Sequence, residues 1–241
     1  IGICHWSAKG TFARPEVNKR VFPLTLLLVN KVVEKEPKYA RDFAFDLYNA
    51  GQHEEAARLW QISEAAAPDG SCHYDEESDT YTILGFGTDI WGRFDDFHFV
   101  YKELHGDGSI AARIGSIENV QEWTKAGVMI RATLEPDSPN AMVLATPSGI
   151  VSFQYRPKAF EITKQMDMPL DRIQLPHWVR LTRQGNRITA QHATDNVNWQ
   201  DVEDPSGRPA TVEIPMGPTV YIGLAANSRD VTRTAEARIS H

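Results

Sequence analysis

Asp95-Asp96-Phe97-His98-Phe99-Val100-Tyr101-Lys102-Glu103-Leu104 is followed by Gly106-Asp107-Gly108, and then by Ser109-Ile110-Ala111-Ala112-Arg113-Ile114-Gly115-Ser116-Ile117. In the first segment Phe97, Phe99 and Tyr101 fall on one side, and His98, Val100 and Lys102 on the other. In the second, Ile110, Ala112 and Ile114 fall together. A repeat of two is the mark of a strand in a sheet with unlike faces. The Gly-Asp-Gly tripeptide between the segments is the chemistry of a tight hairpin. Upstream, Asp89-Ile90-Trp91-Gly92 reads as a turn. Downstream, Ala126-Gly127-Val128-Met129-Ile130-Arg131 reads as a third strand.

The same period continues to the end of the chain. Strands are predicted at 72–74, 81–84, 125–132, 141–145, 150–156, 161–165, 178–183, 187–193, 212–214, 219–225 and 232–239, with Val202 in a short one. Asp137-Ser138-Pro139-Asn140, Ser148-Gly149, Gly185-Asn186 and Asp195-Asn196 punctuate them. About a dozen short strands at this spacing predict a two-layer antiparallel jelly-roll sandwich.

Before Cys72 the period is that of helices. Leu24, Leu27, Leu28 and Val32 are spaced by three and four, which predicts a helix over 22–36 ended by Pro37. Residues 39–68 read as a helical hairpin turning at Asn49-Ala50-Gly51 and stopping at Pro68. The alanine run after Trp60 favours helix there by propensity. The competing reading makes 60–75 the opening strand of the β region. The domains are thus a small N-terminal helical segment, 1–68, and a β domain, 69–241, joined at Asp69-Gly70-Ser71.

Charge narrows the partners. The 241 residues carry a net −7, and 1–70 are balanced, so the whole excess lies on 71–241. Phosphate backbones and anionic bilayers need clustered cations, so nucleic acid and membrane surfaces are poor partners. The longest apolar run, 22–33, is interrupted by Thr25, Asn30 and Lys31 and is too short to span a bilayer. Cys4 and Cys72 are too few for a disulfide framework or a zinc site, and are read as free or buried thiols. The opening residue is Ile1, and the chain is read as a piece of a longer or processed protein.

Two resemblances add to this. Tyr39-Ala40, Leu47-Tyr48, Gly51, Glu55-Ala56 and Pro68 resemble a tetratricopeptide repeat, whose helices need stacked neighbours and serve as scaffold or partner surface. Thr88-Asp89-Ile90-Trp91-Gly92, 96–101, Gly106-Asp107-Gly108, 125–131, Trp178-Val179-Arg180-Leu181 and Tyr221-Ile222-Gly223-Leu224-Ala225 together resemble a concanavalin A-like β-sandwich module of bacterial extracellular multidomain proteins. That resemblance covers 72–240. It implies a jelly roll, carbohydrate-related work and an extracellular or periplasmic place. It brings no established catalytic residues.

Catalysis finds little support in the residues. Glucanase-type enzymes on this fold carry Glu-x-Asp-x-x-Glu on one strand, because retaining hydrolysis needs two carboxyls close together. That motif does not occur in the chain. The acidic run 75–79 reads as a solvated hairpin tip. No Gly-x-Ser-x-Gly elbow occurs either. Asp89 and Asp107, with Asp95 and Asp96 nearby, are oxygen ligands of the kind calcium takes, and mark a candidate structural calcium site. The ligand-binding candidates follow from alternation. If Ala126, Val128 and Ile130, and likewise Val151, Phe153 and Tyr155, face the core, then Arg131, Gln154 and Arg156 face outward. His98, opposite Phe97 and Phe99, is placed with them. Trp91, Trp123 or Trp199 would supply an aromatic platform for a sugar ring. As surface residues, Arg131 and Arg156 are expected to be removable without loss of fold. The leading expectation is a non-catalytic carbohydrate-binding or recognition module. A glycan-active enzyme and a purely structural or interaction domain, meeting other domains, are the alternatives.

Overall fold

The computed structural model describes residues 30–34, 40, 43, 44, 47, 51–66, 70–167 and 172–241. Cys4, most of the helix expected at 22–36, Pro37, Tyr48 and Pro68 lie outside them. Residues 30–34, 40, 43, 44 and 47 are helical. Helix α1, His53–Ala66, follows the turn at Gly51. Trp60 therefore lies in a helix, and the opening-strand alternative is overturned. Val33, Ala40, Ala44 and Leu59 form a small apolar cluster, with Phe43 and Leu47 against it.

The strands are β1 (Ser71–Asp75), β2 (Thr80–Gly87), β3 (Asp89–Trp91), β4 (Phe94–Asp96), β5 (His98–His105), β6 (Gly108–Ile117), β7 (Lys125–Arg131), β8 (Asn140–Ala145), β9 (Val151–Arg156), β10 (Lys164–Asp167), β11 (His177–Gln184), β12 (Arg187–Ala193), β13 (Gln200–Asp201), β14 (Thr211–Glu213), β15 (Thr219–Asn227) and β16 (Asp230–Ser240). They make an eight-stranded sheet, ordered β1-β2-β16-β6-β11-β12-β13 with β14 also on β12, and a six-stranded sheet, β10-β9-β8-β7-β15-β5. Every pairing among them is antiparallel. The protein is a two-layer antiparallel jelly-roll sandwich with a small helical segment before it.

The core lies between the sheets. Ile83, Ile114, Val179, Leu181, Ile188 and Ile239 come from the eight-stranded sheet, and Val100, Val128, Ile130, Val143, Phe153, Ile222 and Leu224 from the other. Fully burying a side chain of this kind contributes about 1.5–3 kcal/mol. As alternation predicts, Ala126, Val128 and Ile130, and Val151 and Phe153, point inward.

One element departs from the sequence reading. Asp89-Ile90-Trp91-Gly92 is not only a turn but half of a two-stranded hairpin, β3–β4, with Ile90 opposite Asp95 and Trp91 opposite Phe94. Gly92, at φ +65°, makes its tight corner. The hairpin packs on the side of the six-stranded sheet that faces away from the core. Ile90 there joins Phe97, Phe99, Met129, Met142, Leu144 and Ala225 in a second small core. The sandwich is thus covered locally by a third, short layer.

Candidate functional site

The outer face of the six-stranded sheet is read row by row from its register. One row runs Glu103–Tyr221–Arg131–Asn140–Arg156, and the next Tyr101–Gly223–Met129–Met142–Gln154. Arg131, Gln154 and Arg156 therefore do share the face opposite the core. They are not, however, open to solvent. Arg131 is 1% exposed and Arg156 0%.

The hairpin explains this. Asp95, brought down by β4, accepts from Arg156 through both oxygens, Nη2 to Oδ1 at 2.6 Å and Nη1 to Oδ2 at 2.9 Å. Asn140 Nδ2 donates to the same Oδ2 at 3.0 Å, and Arg131 Nη2 lies 3.4 Å away. Arg156 further donates to the carbonyls of Pro136, Ser138 and Glu161 and to Thr163 Oγ1. Burial draws Arg131 down to about 10, countered by Asp95, so it remains a cation at neutral pH. Its guanidinium also lies 5.2 Å from the Phe97 ring centre. The expectation that both arginines are dispensable surface residues is corrected: they are buried and bonded.

A second ionic cluster sits at the other corner of the hairpin. Lys125 Nζ donates to Asp89 Oδ1 at 2.7 Å and to Gln154 Oε1 at 3.3 Å, and Arg229 pairs with the second Asp89 oxygen. Burial pushes Lys125 below the usual ammonium range, and Asp89 opposes that shift. Trp123, half-buried, has its ring 5.9 Å from Lys125 Nζ, and Trp91 is half-exposed at the tip of β3.

The two calcium candidates, Asp89 and Asp107, are both engaged with protein groups. Cations already take both oxygens of Asp89, and Asp107 accepts from Gly185 N at 2.6 Å. Among the described residues no three His, Cys, Asp or Glu converge on a metal-sized space.

His98 is also corrected. It pairs with Ala226, which pairs with Ala126 of the main core, so it faces between the sheets with Val100. It is completely buried, and a Cβ on Gly70 would lie 2.7 Å from its Nδ1. Phe97, Phe99 and Tyr101, not His98, share a face with Arg131. The sequence carried this alternation. It did not show that the side bearing three aromatics would be the outer one.

Those aromatics form the feature that sequence reasoning missed. Phe97 and Phe99 lie 5.6 Å apart, Phe99 and Tyr101 stack at 5.3 Å, and Tyr101 meets Tyr221 edge-on at 5.3 Å. The Phe rings are buried beneath the hairpin, whereas the two tyrosines are half-exposed beyond it. Gly223 lies between Tyr101 and Met129 in the register. Glu103, with its side chain 55% exposed, flanks Tyr221 on the edge strand. The Tyr221 hydroxyl has no hydrogen-bond partner among the described residues. The face therefore has a sealed ionic half and an open aromatic half. The open half offers stacking surface, a phenol and a carboxylate. In the sealed half Asp89 and Asp95 are engaged with cations, and Asp96 accepts from Thr88.

No family model matches the chain, and neither does any curated protein. Solved structures do resemble it. A functionally unknown protein from Saccharomyces cerevisiae aligns over 71% of this chain and 93% of its own, at 14% identity and TM-score 0.53. A carbohydrate binding module from Bacillus subtilis aligns over 72% and 89%, at 12% identity and TM-score 0.39. A legume lectin-like domain from Entamoeba histolytica aligns over 75% and 89%, at 10% identity and TM-score 0.42. At these identities the likeness is one of fold alone, shared with the yeast protein over 71% of this chain.

Proposed function

We propose that the β region is a non-catalytic recognition module that binds a glycan at the open end of the six-stranded sheet's outer face. The observation that carries this is the Tyr101–Tyr221 pair, half-exposed and edge-on at 5.3 Å, beside an exposed Glu103. A pyranose has an apolar face that stacks on an aromatic ring and hydroxyls that need donors and acceptors. Tyr101 or Tyr221 supplies the ring. The Tyr221 hydroxyl and the Glu103 carboxylate supply the polar contacts. The resemblance of the strand motifs to concanavalin A-like modules fits this reading. In it, the module serves a secreted multidomain protein, with the helical segment as its attachment to neighbouring domains. Among the described residues no helix is long and apolar enough to cross a membrane.

A glycan array probed with the full chain tests the proposal. The wild type should bind a defined set of glycans. Tyr221→Ala should lose that binding by at least about tenfold, equivalent to about 1.4 kcal/mol, while still unfolding in one cooperative transition, at a lower temperature because Tyr221 packs against the small core. Unaltered binding by both Tyr221→Ala and Tyr101→Ala would contradict it.

A further inference from the structure

The eight-stranded sheet has an outer face of its own, on the opposite side of the molecule. A straight row crosses it: Asp75–Thr80–Ser240–Arg113–Trp178–Ala193. Arg113 and Trp178 are direct partners on β6 and β11, and both are half-buried. Neither the Arg113 guanidinium nor the Trp178 indole N–H has a hydrogen-bond partner among the described residues. Several other arginines of this sheet are engaged: Arg180 with Gln191, Arg183 with the Gly185, Gly106 and Gly217 carbonyls, Arg238 with Glu236, whereas Arg187, exposed at the start of β12, has no hydrogen-bond partner among the described residues. Neither group is among the buried unpartnered polar atoms, so these donors reach solvent and are available to a ligand.

Beside Arg113 lies a polar cavity of about 430 Å³. Hydroxyls of Thr80, Thr82, Ser116 and Ser240 line it, with His73 and Arg238 at its sides. The one carboxylate in its wall, Asp75, is turned into its own loop, accepting from Glu77 N at 3.0 Å and Ser78 Oγ at 2.8 Å. The volume suits a small sugar-sized ligand. Adjacent strands are about 4.8 Å apart, so a ring stacked over Trp178 has its next substituent at Arg113 and its neighbouring unit in the cavity.

We infer that this face is a second binding site, for an acidic saccharide whose carboxylate or sulfate is received by Arg113 while a sugar ring rests on Trp178. A planar guanidinium matches an oxyanion with two parallel hydrogen bonds. The hydroxyl-lined cavity takes the sugar hydroxyls. Only the sugar nature of the ligand rests on the glycan-binding reading given above. The anion contact stands on Arg113 itself. With sites on opposite faces, one molecule bridges two glycan chains or gains avidity on one surface.

The test is a titration of the full chain, followed by the NMR signals of the Trp178 indole N–H and the Arg113 Nε–H, with glucuronic acid, glucose 6-sulfate and glucose as probes. Glucuronic acid or the sulfated sugar should shift both signals, and glucose should bind at least tenfold more weakly. Arg113→Gln should lower the affinity for the acidic sugar at least tenfold, and Tyr221→Ala should leave it unchanged. Arg113→Lys, which keeps the charge, guards against a folding defect and should retain part of the binding. Unmoved Trp178 and Arg113 signals would overturn the proposal, as would an equal response to glucose or full affinity in Arg113→Gln. A shift that Tyr221→Ala abolishes would also overturn it, by placing the ligand on the other face. Acidic sugars bound at Trp178 with no glycan bound at Tyr221 would uphold this site and contradict only the first one.

Discussion

Asp95 has no exposed surface and is held between Arg131, 1% exposed, and Arg156, which has none. Removing one partner of such a group leaves the others buried and uncompensated, at a cost of about 3–5 kcal/mol. Asp95→Ala should therefore lower the unfolding free energy obtained from a urea titration by an amount of that order. A change of less than about 1 kcal/mol would mean that water reaches the cluster. Alternation put Arg131 and Arg156 on one face correctly, but their partner lies 61 residues from Arg156 and arrives on a hairpin that no period announces. A second residue-scale test concerns the two histidines at the start of β11 and the end of β12. His177 Nε2 and His192 Nδ1 are 3.0 Å apart. Burial, and then His192, draws His177 down from 6.5 to about 4, and burial lowers His192 as well. A base with a depressed folded value takes up protons more readily when unfolded. Above pH 6.5 the pair adds no pH dependence to stability; as pH falls toward 4 the penalty grows, to on the order of 2–3 kcal/mol. Melting temperature should fall across that window, and His177→Asn should flatten the fall. A profile unchanged by the substitution would contradict the assignment.

Strands were legible where apolar residues alternate with polar or small ones, even in β7 and β9, which are buried on both faces. β7, β9, β11 and β12 begin and end within one or two residues of the predicted bounds, because a one-residue slip would reverse every side chain. The reading faltered at β5, whose buried first half carries apolar residues on both faces. Val100 enters the main core while Phe97 and Phe99 enter the small one, so hydrophobicity alone does not say which side is inner. The β3–β4 hairpin was hidden for a related reason: three-residue strands are too short to show a period. The approach of β15 to its neighbours gives a test at this scale. A Cβ at Gly223 would lie 2.0 Å from the Val100 carbonyl oxygen, which is backbone and cannot swing aside. Gly223→Ala should destabilise by about 1–3 kcal/mol, as overpacking does. At Gly217 the nearest atom to such a Cβ is 3.9 Å away, and the same change there should have little effect on a urea titration. Equal effects at the two positions would contradict the packing described.

The molecule as a whole joins a helical segment to a sandwich whose two cores and three layers come from residues after Gly70. The change of period near Cys72 marked that division in the sequence. The division predicts that residues 70–241 expressed alone unfold in one cooperative transition; an insoluble product or a broad melt would show that the helical segment is needed. Which face meets a ligand was less legible. The candidates were chosen as polar residues pointing away from the core, and the third layer seals that half while leaving Tyr101 and Tyr221 open. The most direct measurement of the recognition account is an NMR titration of the full chain with the strongest glycan from the array, tyrosine rings selectively labelled. The account predicts ring shifts at Tyr101 and Tyr221 that saturate with the ligand and vanish in Tyr221→Ala; saturable binding that leaves both rings unmoved would contradict it.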